Sequence, residues 1–137
     1  MADHRLIDGK SVASEILASC KGYLQDNDVS CGLVSISIGD IPEVDVYIRN
    51  QARAAERVDL PFKQQVWDAT ISQDEAKGKI VEMNDDPGVL GIILQRPVPD
   101  HINVRSLQSA IHPLKDVEGM NPASIGNIVY SDVALAP

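Results

Sequence analysis

Residues 91–103 have the sequence GIILQRPVPDHIN, which is the most informative stretch of the chain. Its first part is apolar and rich in β-branched residues, which is typical of a buried strand that the following prolines cannot continue. Gln95 is therefore a polar side chain at the carboxyl end of a strand, followed by a stiff loop. In open α/β sheets, ligands bind just outside the carboxyl ends of the strands. The sequence thus predicts a ligand site at Gln95 and this loop.

The rest of the chain alternates predicted strands and helices. The third strand is the most apolar and is expected to be central, whereas the more polar second strand is expected at an edge. Apolar residues at helical spacing, several of them preceded by capping patterns such as Asp40 with Glu43, predict the helices. Strands are expected at residues 33–38, 62–67 and 89–94, and helices at residues 11–25, 43–58, from the Ser72 capping box onward, and from Asn103 to about 111.

This alternation predicts an α/β fold. Strand, helix and strand in succession favour right-handed crossovers, and hence a parallel sheet of about three to four strands with helices on both faces. From residue 121 the periodicity fades, and Asn121-Pro122 and Gly126-Asn127 favour loops with a short hairpin or edge strand. We therefore expect one domain over residues 1–120, followed by an irregular segment over residues 121–137.

The composition limits the classes of function. The chain has 137 residues and a formal net charge of −8, which argues against nucleic acid and anionic membrane partners, because both attract an excess of Lys and Arg. No apolar run reaches the length of a membrane span, and the first residues lack the apolar region of a signal peptide. We therefore expect a cytoplasmic protein.

No metal site is expected. The three histidines, His4, His101 and His112, share no ligand spacing with one another or with a carboxylate. Cys20 and Cys31 do not form a Cys-x-x-Cys pattern, so both are expected to be reduced thiols.

Several polar side chains are expected at the same edge of the sheet as Gln95. Tyr47 and Gln51 lie four residues apart on the second helix and so share a face, and residues 115–119 should return to this rim. A ring, two amides and a carboxylate together would suit a flat, polar heteroaromatic ligand. From the residues alone, an exposed helix pair, a strand end satisfied by backbone and a solvated turn carboxylate remain open alternatives.

Three ordered motifs resemble those of a known enzyme family. Residues 47–54, YIRNQARA, are similar to Tyr-x-x-x-Lys-x-Lys-Ala; residues 94–99, LQRPVP, to Val-Gln-Leu-Pro-Leu-Pro; and residues 113–119, PLKDVEG, to Pro-x-Lys-Asp-Val-Asp-Gly. With LIDGK at residues 6–10, the chain resembles the catalytic half of the methylenetetrahydrofolate dehydrogenase/methenyltetrahydrofolate cyclohydrolase family. This resemblance implies an oxidoreductase and hydrolase of folate-dependent one-carbon metabolism.

The resemblance also implies roles for individual residues. Gln51 and Gln95 stand at the catalytic positions, where the family has a proton-transferring Lys and the Gln that orients it. Tyr47, Gln51, Gln95, Pro97 and Glu118 stand at substrate-binding positions. Tyr47 would stack on the pterin ring, and Glu118 would accept hydrogen bonds from its amino-pyrimidine edge.

This chain departs from the family pattern at Gln51, Arg96 and Glu118. A carboxamide does not titrate near neutral pH, so Gln51 predicts that cyclohydrolase activity is lost. Glu118 replaces the family's Asp, keeping its acceptor oxygens on a longer side chain, and Arg96 replaces an apolar residue.

The family's NAD(P)-binding Rossmann half would lie beyond residue 137. No Gly-x-Gly-x-x-Gly occurs in the chain, so NAD(P) is expected only with a separate Rossmann half, and the isolated chain is expected to be inactive. The expected partners are a tetrahydrofolate derivative and either further copies of the chain or a Rossmann-type subunit. A non-catalytic folate-binding or assembly module and a purely protein-binding paralogue are the alternatives.

Overall fold

The computed structural model describes residues 7–130 of the chain. Strands and helices alternate through most of this range, as the sequence predicts. The elements in chain order are α1 (Gly9–Asp26), β1 (Gly32–Ile38), α2 (Pro42–Arg57), β2 (Phe62–Trp67), α3 (Gln73–Asp85), β3 (Val89–Leu94), α4 (Val104–Ala110), a 3-10 turn (Pro113–Lys115) and α5 (Pro122–Val129).

The described residues contain one parallel sheet of three strands in the order β2-β1-β3. The polar strand β2 lies at an edge, as predicted. The prediction that β3 is central is wrong, because β1 lies between the other two strands. β3 is apolar for a different reason: both of its faces are largely covered, and on its outer side Ile92 forms an isolated bridge with Asp116.

Helices pack on both faces of the sheet, as predicted. The main core lies between one face and helices α3 and α4. Ser35, on the opposite face of β1, approaches Gln51 of α2, so α2 covers the second face. The fully buried side chains of the main core are Ile36, Ile38, Ala76, Ile80, Ile92 and Leu107.

Two of the predicted helix caps are confirmed and one is wrong. The Ser72 hydroxyl accepts a hydrogen bond from the Glu75 amide at 3.2 Å, and Asn103 caps α4 in the same way. By contrast, α2 begins after Ile41 with no side-chain cap. Pro42 occupies its first turn, where proline fixes the helical φ and has no N–H that needs a partner.

The segment from residue 121 is not irregular throughout. Residues 122–129 form α5, so the prediction of loops with a hairpin or edge strand is wrong there. Asn121 caps this helix by accepting a hydrogen bond from the Ala123 amide at 2.8 Å, and Pro122 follows at the first helical position. The prediction for residues 131–137 lies outside the described residues.

Helix α1 carries an exposed apolar stripe. The predicted helix forms, and the structure shows that Asp8 caps it. None of the residues of α1 is buried. Val12 and Ile16 are 49% and 58% exposed. A cavity of about 640 Å³ separates α1 from α2 and the sheet, and Leu17, Cys20, Leu24, Gln51, Ala54 and Ile93 are among the residues that line it. Within the described range, no helix is long and apolar enough to cross a membrane.

Gly91 allows the segment that contains Val117 to lie directly on β3. A Cβ atom at Gly91 would overlap the Val117 side chain and lie 3.0 Å from Leu33 Cδ2. We expect Gly91→Ala to destabilise the protein by about 1–3 kcal/mol, because the new Cβ must displace the Val117 side chain from β3. Urea unfolding would measure this free energy.

The matched control is Gly78→Ala in α3, where a Cβ would have no neighbour within 4 Å. This change is expected to stabilise the protein by about 0.5–1 kcal/mol, because glycine is a poor helix former. Equal stability of Gly91→Ala and the unmodified chain would contradict the proposed close approach.

Candidate active site

Gln95 and Gln51, the two predicted catalytic residues, are in direct contact. The Gln95 amide donates to the Ile36 carbonyl at 2.8 Å, which holds this residue at the carboxyl end of β3 beside β1. Its side chain is 9% exposed, and Nε2 lies 2.8 Å from Gln51 Oε1. The end of β3 and the third turn of α2 therefore meet over the sheet, as expected from the sequence.

Sequence reasoning missed Ser35, the third member of this cluster. Ser35 is completely buried on β1, and its Oγ accepts a hydrogen bond from Gln95 Nε2 at 2.9 Å. The same Oγ lies 3.5 Å from Gln51 Oε1. The available signal was a hydroxyl in a strand whose neighbours are apolar, since polar groups buried in parallel sheets need partners.

Tyr47 lies one helical turn before Gln51 on α2, and its side chain is 67% exposed. An exposed ring on a helix that borders the carboxamide pair is available for stacking. The structure therefore brings Gln51 and Gln95 into contact and leaves the ring of Tyr47 open to solvent beside them.

The segment that carries Glu118 is anchored by its other charged residues. Lys115 Nζ donates to the carbonyls of Met83 at 2.9 Å and Asp86 at 2.7 Å, at the carboxyl end of α3. The buried Asp116 carboxylate accepts a hydrogen bond from the Asn121 amide at 2.6 Å. Two charges of the motif thus hold the backbone in place, and Glu118 remains as its exposed carboxylate.

Glu118 lies close to the end of β3. Partial desolvation raises the pKa of its carboxyl above the ordinary 4.5, while the Arg96 guanidinium and a hydrogen bond to the Leu94 backbone lower it, and the nearby Asp116 carboxylate raises it. Leu94 directly precedes Gln95 in the chain, so a carboxylate that faces Leu94 lies near Gln95. Glu118 therefore joins the same rim as the carboxamide pair.

Pro97 is exposed two residues beyond Gln95, and the peptide bond between Arg96 and Pro97 is cis. The loop that follows is tied to the domain by His101, whose Nε2 lies 3.0 Å from the Ile71 carbonyl oxygen. His101 thus has a structural contact. Among residues 7–130, no three His, Cys, Asp or Glu side chains are grouped so that they could hold a metal ion.

The rim can bind and orient a ligand through neutral and acidic groups. The carboxamides of Gln51 and Gln95 can offer a hydrogen-bond donor and an acceptor. The Glu118 carboxylate offers acceptors, and the Tyr47 ring offers a face for stacking. In the described part of the chain, the carboxamide pair has no hydrogen bond to a titratable side chain.

The fold is a parallel α/β domain, and polar side chains are grouped at the carboxyl ends of its strands. Residues 7–118 match the family model described as tetrahydrofolate dehydrogenase/cyclohydrolase, catalytic domain. The chain belongs to this family, and the resemblance that its three motifs indicated is confirmed.

Several relatives are similar over the whole chain. The bifunctional protein FolD 3 of Roseobacter denitrificans is 68% identical over 137 residues, which are 100% of this chain and 47% of that protein. The bifunctional protein FolD 2 of Ruegeria pomeroyi is 66% identical with the same coverage of 100% and 47%. The chain therefore spans about half the length of the curated relatives it matches.

Solved structures of the family share the fold. The bifunctional FolD methylenetetrahydrofolate dehydrogenase/cyclohydrolase of Campylobacter jejuni superimposes with a TM-score of 0.82 and 30% identity, over 88% of this chain and 44% of that one. The 5,10-methylenetetrahydrofolate dehydrogenase of the silkworm, Bombyx mori, gives a TM-score of 0.82 and 33% identity, over 88% and 43%.

Proposed function

We propose that this chain binds methylene- or methenyl-tetrahydrofolate and serves as the catalytic domain of a dehydrogenase in folate-dependent one-carbon metabolism. The observation that carries the proposal is the contact of Gln51 with Gln95 at 2.8 Å, at the carboxyl edge of the sheet. Family membership supplies the substrate class, since the relatives are named for reactions of this folate.

Each residue of the rim has a defined task in this proposal. The Tyr47 ring stacks on the pterin, and Glu118 accepts hydrogen bonds from its amino-pyrimidine edge. The two carboxamides then orient the one-carbon bridge between them. Pro97, two residues beyond Gln95, contacts the folate in this proposal.

Oxidation and hydrolysis make different demands on these residues. Hydride transfer depends chiefly on orientation, which the carboxamide pair can supply. Hydrolysis of the methenyl bridge requires proton transfer to and from water, which Gln51 cannot perform. The proposal therefore assigns a dehydrogenase role to the site and no cyclohydrolase role.

NAD(P), which would accept the hydride, does not fit the residues of this chain. The chain lacks the Gly-x-Gly-x-x-Gly loop that cradles a dinucleotide, so the proposal assigns that cofactor to a separate Rossmann half. In this proposal residues 1–120 are the catalytic domain, and residues 121–137 lead toward that half. The isolated chain is expected to be inactive.

Exposed apolar surfaces support the presence of a partner. Besides the stripe of α1, Ile125, Ile128 and Val129 of α5 are exposed. We propose that a Rossmann-type half or a second copy of the chain covers part of this surface. A cytoplasmic location is proposed with it, in keeping with the free thiols of Cys20 and Cys31.

A second candidate function is a folate-binding or assembly module without chemistry. Gln51 favours it, because this position has lost the titratable group while Tyr47 and Gln95 are retained. Both candidates predict folate binding, and they differ in whether a Rossmann half with NAD(P) restores oxidation. A chain that binds no folate at all would instead be a protein-interaction domain.

Titration calorimetry with tetrahydrofolate tests the proposed site. We expect micromolar to millimolar affinity for the 137-residue chain, and Tyr47→Ala should weaken it by about 2- to 12-fold, the value of 0.5–1.5 kcal/mol of stacking. Tyr23→Ala is the matched control, because Tyr23 is 66% exposed on a different helix. Absence of binding at millimolar ligand, or equal effects of the two variants, would refute the site.

A further inference from the structure

In the described part of the chain, the Ser35 hydroxyl has two hydrogen-bonding neighbours. Its side chain is 0% exposed in the middle of the central strand, and both neighbours of Oγ are carboxamide atoms, Gln95 Nε2 and Gln51 Oε1. A buried hydroxyl is costly unless it is hydrogen-bonded, and an apolar side chain would fill this strand position without that cost. The Ser35 hydroxyl is therefore expected to hold the two carboxamides in place by hydrogen bonds.

The three side chains form a closed ring of contacts. Gln95 Nε2 donates one hydrogen to Gln51 Oε1 at 2.8 Å and the other to Ser35 Oγ at 2.9 Å, while the Ser35 hydroxyl faces Gln51 Oε1 at 3.5 Å. The ring uses both hydrogens of one amide and the carbonyl of the other. Within residues 7–130, the Gln95 side-chain carbonyl and the Gln51 side-chain amide have no further hydrogen bond.

The number of free groups does not depend on how the carboxamides are turned. Turning both over lets Gln51 donate to Gln95 and Ser35 donate to the Gln95 carbonyl. The free groups are then the Gln51 carbonyl and the Gln95 amide. Either way, the ring leaves one donor and one acceptor for a ligand.

We propose that Ser35 is a positioning residue that fixes the rotamers of Gln51 and Gln95, so that the pair presents one hydrogen-bond donor and one acceptor to the folate. The part that concerns folate rests on the function proposed above. Ser35 reaches the ligand only through the carboxamides, because it is fully buried. Without the Ser35 contact, the Gln51 side chain could take several rotamers.

The test uses the ¹⁵N-labelled 137-residue chain and two variants, Ser35→Ala and Ser35→Cys. Cysteine keeps one heavy atom on Cβ, is somewhat larger than serine and is only a weak hydrogen-bond donor, so it serves if the alanine variant folds poorly. We expect both variants to shift the side-chain amide signals of Gln51 and Gln95 in the free protein. Tetrahydrofolate affinity should fall by about 2- to 12-fold, the effect of one neutral hydrogen bond.

Ser124→Ala is the matched control. Ser124 is also 0% exposed, and its Oγ has no hydrogen-bond partner in the described structure. It should leave both the glutamine signals and the affinity unchanged. Unshifted glutamine signals in the Ser35 variants, or shifted signals with unchanged affinity, would overturn the proposal.

The two measurements separate this inference from the proposed function. If the unmodified chain binds no tetrahydrofolate, the proposed function fails. The glutamine signals of the free protein then decide alone whether Ser35 holds the pair: shifted signals support the positioning role, and unshifted signals overturn it.

Discussion

Gln51→Lys is expected to give this chain cyclohydrolase activity, which we expect the unmodified chain to lack. The unmodified chain should hydrolyse methenyl-tetrahydrofolate at the uncatalysed rate, and the variant should exceed that rate by about 10²- to 10⁴-fold, the usual contribution of general acid–base catalysis. The position is suitable because the side chain at residue 51 already lies 2.8 Å from Gln95. Initial rates over a range of substrate concentrations measure the gain.

The expected gain depends on a proton-carrying amine and not on positive charge. An amine that is half-buried beside Ser35 has its pKa lowered toward the operating pH, so it can both take up and release a proton. The rate of Gln51→Lys should therefore depend on pH through one new ionisation.

Gln51→Arg is the matched control for this prediction. It supplies a cation of similar length that stays protonated at every accessible pH, so it should leave the rate near the uncatalysed value. Saturable turnover by the unmodified chain would contradict the argument that position 51 needs a titratable group. Equal activity of the Lys and Arg variants would show that charge alone accounts for the gain.

Local patterns in the sequence were sufficient to predict most elements of the fold. The bounds predicted for the second and third strands are those of β2 and β3, because each strand is short, bounded by turn residues and rich in β-branched or aromatic side chains. The caps at Ser72 and Asn103 were predictable for a similar reason, since both contacts span three residues.

The errors concern information that is not local. The order of the strands depends on pairing between distant segments, so the apolar composition of β3 could not reveal that β1 is central. Ser35 escaped notice because its contacts with Gln51 and Gln95 span 16 and 60 residues. The α5 error was different, since Asn121-Pro122 is compatible with both a loop and a helix start.

The candidate site was predictable in part. Because the carboxyl ends of parallel strands share one edge, Gln51 and Gln95 could be expected to meet. The sequence could not assign separate tasks within residues 115–119. In the structure, Lys115 and Asp116 form hydrogen bonds with backbone groups. The contacts of Lys115 with the carbonyls at the end of α3 span 29 to 32 residues, so no local pattern could reveal them.

Glu118→Gln is expected to weaken tetrahydrofolate binding by about 10- to 150-fold, which corresponds to the 1.5–3 kcal/mol of hydrogen bonds to a charged group. The carboxylate is the acceptor that matches the donors of the amino-pyrimidine edge, whereas an amide has one acceptor and one mismatched donor. Calorimetric titration of both proteins at neutral pH measures the loss. Asp100→Asn removes a charge from the loop after Pro99 and serves as the control, with affinity expected to remain unchanged.

The pH dependence of binding should identify the same carboxyl. Partial desolvation raises the pKa of Glu118 above 4.5, so affinity in the unmodified chain should begin to fall at a higher pH than a fully solvated glutamate would give. The Gln variant should lack this ionisation. Arg96 opposes the shift, so Arg96→Met should move the loss of affinity to still higher pH. The same pH profile in the unmodified chain and the Gln variant would exclude Glu118 as the titrating group.

Stability should change in the opposite sense to affinity. Because the folded state holds the Glu118 proton more tightly than the unfolded chain, the carboxyl favours folding below its unfolded pKa, and this contribution is lost as pH rises through the raised value. We compare the free energy of unfolding of the unmodified chain with that of the Gln variant. This difference should be less favourable to the unmodified chain at neutral pH than below pH 4.5. Urea unfolding at the two pH values measures this difference. If Glu118 is a binding residue, its carboxylate should favour ligand binding and slightly destabilise the fold. If it is a solvated turn residue, its replacement should leave both affinity and stability unchanged.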